Sequence, residues 1–182
     1  MKVELRRYAL NKENLLTLDN AKKDRLANNK MEFVSKLLKE LPKYKDGGCP
    51  FTDKRKQNFK GMINLPNGEK YQGTWVTNDD GTEVIHGKGV YVYENGSQFV
   101  GWFFQGQIVG KGRLILHNGD IYEGNFEDQK YSGEGKYIFG DTHSVIGSYE
   151  GEFKNNKLTG KGKFDVKSKR PLTKLFGQVI IH

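Results

Sequence analysis

The sequence predicts a mainly β protein, a single-sheet solenoid of stacked antiparallel β-hairpins with an N-terminal helical arm. Three observations predict it. Glycines and aromatic residues recur together at a fixed interval, a turn dipeptide falls between the recurrences, and apolar residues alternate with polar ones along the stretches in between. Composition agrees, since 23 glycines, 9 tyrosines and 11 phenylalanines accompany only 4 prolines. Short strands joined by tight turns draw on that mixture. A hydrophobic share of 35% beside 29% charged residues makes the apolar core a thin one.

Residues 1–58 form the arm. Within it, Asp19 to Leu41 reads as a helix, capped by Asp19 or Asn20 and ended by Pro42 and Gly47-Gly48. Met31, Val34, Leu38 and Leu41 make one stripe, which Phe33 and Leu37 broaden. That stripe packs either on the chain's own sheet or on a partner or second copy. Lys54-Arg55-Lys56, followed by Lys60, reads as a solvated basic linker rather than a binding site.

Residues 59–166 form the array. Gly-x-Gly recurs as Gly87-Lys88-Gly89, Gly110-Lys111-Gly112, Gly133-Glu134-Gly135 and Gly160-Lys161-Gly162, in steps of 23, 23 and 27 residues. Aromatic-x-Gly-x-aromatic recurs as Tyr71-Gly73-Trp75, Phe99-Gly101-Phe103, Tyr122-Gly124-Phe126 and Tyr149-Gly151-Phe153. Between them fall Asn67-Gly68, Asn95-Gly96 and Asn118-Gly119, which predict hairpins with type I′ turns because both residues tolerate positive φ. Each unit reads as strand, turn, strand, link. One parity of the first strands carries Ile63 and Leu65, Tyr91 and Tyr93, Leu114 and Leu116, Tyr137 and Phe139, and Phe164 and Val166. The opposite parity is mostly polar, as at Gln72 and Thr74 or Glu150 and Glu152. About ten such strands at ~4.8 Å spacing make a sheet on the order of 45 Å long, with one covered face. A glycine between two aromatics leaves room for a ring to lie over the backbone.

These units resemble the MORN (membrane occupation and recognition nexus) repeat in their Tyr-x-Gly-x-Trp/Phe, Gly-x-Gly and Asn-Gly elements. Gly61–Trp75, Gly87–Phe103 and Gly110–Phe126 match well. Gly133–Phe153 keeps both glycine signatures but replaces Asn-Gly with the longer Gly140–Ile146, and a partial unit begins at Gly160. The resemblance implies a fold rather than a single task. Residues 167–182 follow as a capping or docking tail, in which Leu172, Leu175, Phe176, Val179, Ile180 and Ile181 supply apolar surface.

Alternation fails in the second unit. Val90, Val92, Val100 and Trp102 are apolar where the opposite face already carries aromatics; Phe104 follows, and Ile108 and Val109 adjoin. A one-faced sheet has no internal use for Trp102 outside, so the arm helix or a protein partner is expected to cover it. With Phe33 and Leu37 of the arm, these residues are the candidate protein-interaction site.

No catalytic, cofactor-binding or metal site is expected. His86, His117, His143 and His182 are widely spaced, and Cys49 is alone and reads as an inert thiol. Gly-Lys-Gly recurs at the repeat period instead of opening a helix, which excludes a phosphate-loop reading. No aromatic-basic interleaving points to nucleic acid. The net charge of +8 divides into +8 over residues 1–60, −5 over 61–160 and +5 over 161–182, so anionic lipid would meet a basic surface only at the ends.

The resemblance therefore implies a non-catalytic structural adaptor that binds proteins within a larger assembly, cytoskeletal and in particular ciliary-axonemal. The alternatives are a peripheral, phosphoinositide-associated membrane tether and a trans-acting regulatory subunit of an enzyme. The N-terminus lacks the apolar stretch of a secretory signal, so an intracellular place is expected, cytoplasmic or cytoskeletal at a cilium or cell cortex. A mitochondrial assembly stays open through Arg6 and Arg7, against Glu4 and Glu13. A homodimer stays open as well.

Overall fold

The computed structural model describes residues 32–34, 36–140 and 147–166. Among them nine antiparallel strands pair in chain order in one open sheet. They are β1 (Asn58–Asn64), β2 (Lys70–Thr77), β3 (Glu83–Val92), β4 (Gln98–Phe104), β5 (Gln107–Ile115), β6 (Ile121–Glu127), β7 (Lys130–Phe139), β8 (Gly147–Lys154) and β9 (Lys157–Val166). Nine strands at a spacing of about 4.8 Å extend to roughly 40 Å, slightly short of the ten-strand expectation. The described part of the arm holds one short helix, α1, over 32–34 and 36–40. The rest of the helix expected over 19–41, and the tail, lie outside the described residues.

One row of glycines organises the sheet. Gly73, Gly89, Gly101, Gly112, Gly124, Gly135, Gly151 and Gly162 pair in register from β2 to β9 without a break. Over each successive pair lies one ring: Tyr71, Phe99, Tyr122 and Tyr149 in turn. The covering ring belongs to the residue two positions before the glycine on the same strand, so the strand roofs its own backbone. A Cβ at Gly135 would stand 2.6 Å from Tyr122 Oη, and at Gly151 it would stand 2.6 Å from Gly162 Cα. The row is therefore glycine for want of space. Tyr71, Phe99 and Tyr122 are fully buried. Edge-to-face contacts link the layer along the sheet, Phe99 to Phe126 at 5.0 Å and Tyr122 to Phe153 at 5.0 Å.

The first glycine of each Gly-x-Gly has a different task. Gly87, Gly110, Gly133 and Gly160 all take positive φ, between 60° and 79°. Each lies where the register of its strand shifts against the preceding one, for example between Gly101↔Gly112 and Trp102↔Val109. Two extra residues enter the first strand there, so parity is kept on both sides of the bulge. One Gly-x-Gly thus joins a bulge glycine to a glycine under a ring.

The turns differ from the expectation. Leu65, Tyr93 and Leu116 each accept from the glycine three residues on, and their own N–H groups donate to the carbonyls four residues on. Gly68, Gly96 and Gly119 have φ near +85°, but Asn67, Asn95 and Asn118 are not left-handed. Each Asn-Gly therefore closes a three-residue loop, a turn ending in a bulge glycine, and not a two-residue type I′ turn. The asparagine Oδ1 accepts the N–H two residues on, at Glu69, Ser97 and Asp120, which holds the turn from within. Two-residue loops with positive φ at both positions occur at the opposite ends of the hairpins, at Gln105-Gly106, Asp128-Gln129 and Asn155-Asn156.

Candidate functional site

The aromatic layer fills one face. On the second face the pairs Lys88↔Trp102, Val90↔Val100, Arg113↔Glu123 and Ile121↔Ile138 set basic, aromatic and aliphatic side chains side by side. The arm lies on this face. Val34 of α1 is fully buried against Ile115 and Ile121, with Leu37, Leu38, Leu41 and Ile138 around them. Of the helix stripe read from sequence, Val34, Leu37, Leu38 and Leu41 thus pack on the chain's own sheet, Phe33 stays exposed, and Met31 lies outside the described residues.

Beyond α1 the chain runs back over β5, β4 and β3 as an extended strap, residues 42–57. Arg113 anchors its start. This nearly buried guanidinium donates from Nε to Glu123 Oε1 at 2.6 Å and from Nη1 to the Pro42 carbonyl at 2.9 Å, and lies 5.3 Å from the Tyr44 ring centre. Burial, aided by Glu123 and Asp46, pushes the Tyr44 phenol up to about 12. Asp46 pairs with Lys88. Burial opposes ionisation of Asp46, but the contact with Lys88 and the hydrogen bond from the Gly48 N–H outweigh it and hold the carboxyl below its ordinary value.

The strap ends in an aromatic and ionic clamp. The Phe51 ring stands edge-on to His86 at 4.8 Å, to Phe104 at 5.0 Å and to Trp102 at 6.4 Å. His86, wholly buried, brings Nε2 to 3.1 Å from Asp53 Oδ2. The Gln105 N–H reaches Nδ1 of the same ring at 3.5 Å, which leaves the ring proton on Nε2, and Asp53 lies near that nitrogen but off the line of a hydrogen bond. Burial lowers the imidazole below its ordinary value; Arg55 adds to this and Asp53 opposes it. Arg55 donates to both oxygens of Asp53 and to Asn78 Oδ1, and this holds the Asp53 carboxyl down at about 2.

The candidate residues divide accordingly. Trp102 is half-buried under the strap, between Phe51 and Lys88, whose Nζ lies 5.7 Å from its ring centre. Val90 and Val100 form a half-buried cross-strand pair, Val109 pairs with Trp102, and Val92 is buried beside them. Phe104 stays 40% exposed at the edge of the clamp, and Phe33 on α1 is 48% exposed. Leu37 packs under the helix. Ile108 is the exception: paired with Phe103, it belongs to the aromatic layer on the other face. The cover over Trp102 is the extended strap, not the arm helix. Sequence reading also missed Asp46, Phe51, Asp53, His86 and Arg113. The usable signals were a histidine and an arginine standing at outward parity among valines and isoleucines, and two carboxylates among the five basic residues of 42–57.

The MORN repeat family model matches residues 84–98, 99–121, 122–144 and 149–165. No curated protein matches the sequence. The matched repeats cover β3 to β9, and the sheet continues beyond them through β2 and β1.

Proposed function

We propose that this chain, in which residues 84–98, 99–121, 122–144 and 149–165 match the MORN repeat, a module that generally binds proteins or membranes, is a non-catalytic adaptor holding proteins together in a larger, cytoskeletal assembly. One observation carries the reading: three of the five exposed large apolar side chains among the described residues lie on the strap-bearing face, while Phe164 lies on the aromatic face beside Tyr149. Phe33 on α1, Phe59 at outward parity on β1 and Phe104 on β4 all lie there, with Phe59 67% exposed. A continuous sheet with apolar groups along one side suits attachment at several points. A ciliary or axonemal place belongs to this proposal.

The membrane reading loses support at the basic linker. Arg55 is engaged by Asp53 and Asn78, and Lys60 pairs with Glu83 and lies over the Trp75 ring. Lys54 and Lys56 are left as its exposed cations. Among the described residues no helix is long and apolar enough to cross a bilayer. Cross-linking mass spectrometry in the native source tests the adaptor. Reproducible partners linked through Lys36, Lys39, Lys54 or Lys56 are expected. A monomer without a reproducible partner refutes the proposal, and salt-resistant binding to anionic vesicles would replace it with the lipid reading.

A further inference from the structure

The strap is bound as a ligand is bound. Among the described residues no backbone–backbone hydrogen bond joins residues 42–57 to the sheet. The short-range bonds of the strap are local, Gly48 N–H to Asp46 and Arg55 N–H to Asp53. What holds it is a set of side-chain contacts: Asp46 on Lys88, Arg113 on the Pro42 carbonyl, Phe51 among His86, Trp102 and Phe104, and Asp53 beside His86. Pro50 seats on the bulge of β5, where a Cβ at Gly110 would come to 3.0 Å from the proline ring. The strap bends at Gly47 and Gly48, both at positive φ, and Gly48 has no neighbour within 4 Å of its missing Cβ. Such a segment can leave without opening a single strand pair.

The channel left by its departure has a definite chemistry. Lys88 supplies a cation, Arg113, already paired with Glu123, supplies a donor for a backbone carbonyl, Trp102, Phe104 and His86 supply an aromatic socket, and the Gly110 bulge leaves a shallow seat. The strap matches it with a carboxylate at Asp46, an aromatic anchor after proline at Phe51, and a second carboxylate at Asp53. We infer that this channel is a peptide-binding groove whose partner ligand is an extended segment with an aromatic anchor and a carboxylate five residues before it, in the pattern Asp-x4-Phe-x-Asp, and that the strap occupies it in cis. The inference rests on the protein-binding reading above and names the partner chemistry for it. The seated segment carries it: Asp46 meets Lys88, and Phe51 fills the socket of His86, Trp102 and Phe104, while Asp53 is balanced by Arg55 of the strap itself. A tethered strap competes at an effective concentration on the order of mM, so the groove admits only ligands that outbid that contact.

The test uses the full chain and a fluorescein-labelled synthetic peptide of residues 43–57, followed by fluorescence anisotropy. Phe51→Ala with Asp53→Asn in the chain weakens the cis occupant. This double variant should bind the peptide at least tenfold more tightly than the unaltered chain. A peptide carrying the same two substitutions should bind neither, and adding Lys88→Glu to the double variant should abolish binding. Equal affinity for the two chains, or equal binding of the substituted peptide, overturns the inference. If the double variant loses its β-type circular dichroism, Asp46→Asn alone takes its place, and loss of folding there too makes the strap a structural cover and overturns the inference. A dimer by light scattering that excludes the peptide assigns the groove to a second copy and also overturns it. Native partners whose cross-links survive excess peptide would leave the adaptor standing and remove the groove from it.

Discussion

Replacing Gly135 by alanine tests the glycine row directly. Its φ is not left-handed, so the backbone accepts alanine and only space decides. The new Cβ would stand 2.6 Å from Tyr122 Oη and 2.7 Å from Cε2, where ordinary contact begins at 3.4 Å. The ring would have to withdraw by about 0.8 Å from the nearer atom. It cannot do so freely, because Tyr131 stacks on it at 3.9 Å and Phe126 and Phe153 abut it at 5.2 and 5.0 Å. Overpacking of this kind costs about 1–3 kcal/mol. Losing the bond from Tyr122 Oη to the Asn125 carbonyl, 2.9 Å long, adds about 1 kcal/mol. The entropic gain of Gly→Ala, about 0.4–1 kcal/mol, returns part of that. The net loss of roughly 1–3 kcal/mol lowers the melting temperature by about 3–10 °C for a chain of this size. Gly61→Ala, with nothing within 4 Å of its Cβ, is the matched control. Far-UV circular dichroism melts of both variants, alone and in a Tyr122→Ala background, are the assay. If Gly135→Ala melts with the control, or if its cost persists once the Tyr122 ring is gone, the steric account of the row fails.

Arg113→Lys should destabilise by about 1–3 kcal/mol in urea titration, since one ammonium cannot serve both Glu123 and the Pro42 carbonyl; full recovery with lysine would contradict the forked anchor. Trp102→Glu sets a carboxylate against Asp46 and Phe51, so the strap should become open to chymotrypsin at Phe51 while the β-type circular dichroism persists. The strap should loosen on acidification, as read from the Trp102 indole N–H resonance by NMR. The His86 imidazole is lowered by burial, so its contribution is present above the ordinary histidine value of about 6.5 and is lost as pH falls below it. Asp46 and Asp53 are lowered too, so theirs are lost later, as pH falls from about 4 toward the folded value of Asp53 at about 2. An indole signal unchanged from pH 7 to 3 would remove these groups from the anchor.

The repeat was legible because steric needs fix residue type at fixed offsets. Only glycine fits under Tyr122 or takes φ +64° at position 110, so both tasks surface as Gly-x-Gly in the letters. The turn type was misread because Asn-Gly serves both a two-residue type I′ loop and a three-residue loop with a bulge glycine. The difference lies in whether Leu65 or Pro66 begins the loop, and alternation cannot fix that to one residue. The need of Trp102 for a cover was legible as a break in alternation. Its cover was not, because the strap has neither period nor strand pairing. Asp46, Phe51 and Asp53 gain meaning only beside Lys88 and His86, which are 42 and 33 positions from Asp46 and Asp53 respectively and are brought near by the return of the chain over the sheet.

The two faces differ in what they leave for a partner, and the difference follows from the glycine row. Where side chains stand upright from a sheet, their sides and tips stay open to another layer. Here every second strand lays a ring flat across two glycines, and the neighbouring rings meet it edge-on, so the aromatic face closes with groups from the sheet itself. The second face has no such device. Its Lys88, Trp102 and Arg113 stand upright and need a layer from elsewhere, and the arm supplies one through side chains alone. A cover that is not stitched into the sheet's hydrogen bonds is the part of this molecule that can be exchanged without unfolding it. The repeats therefore supply a stiff and largely self-sealed base, and recognition falls to the face where the chain already binds a segment of itself.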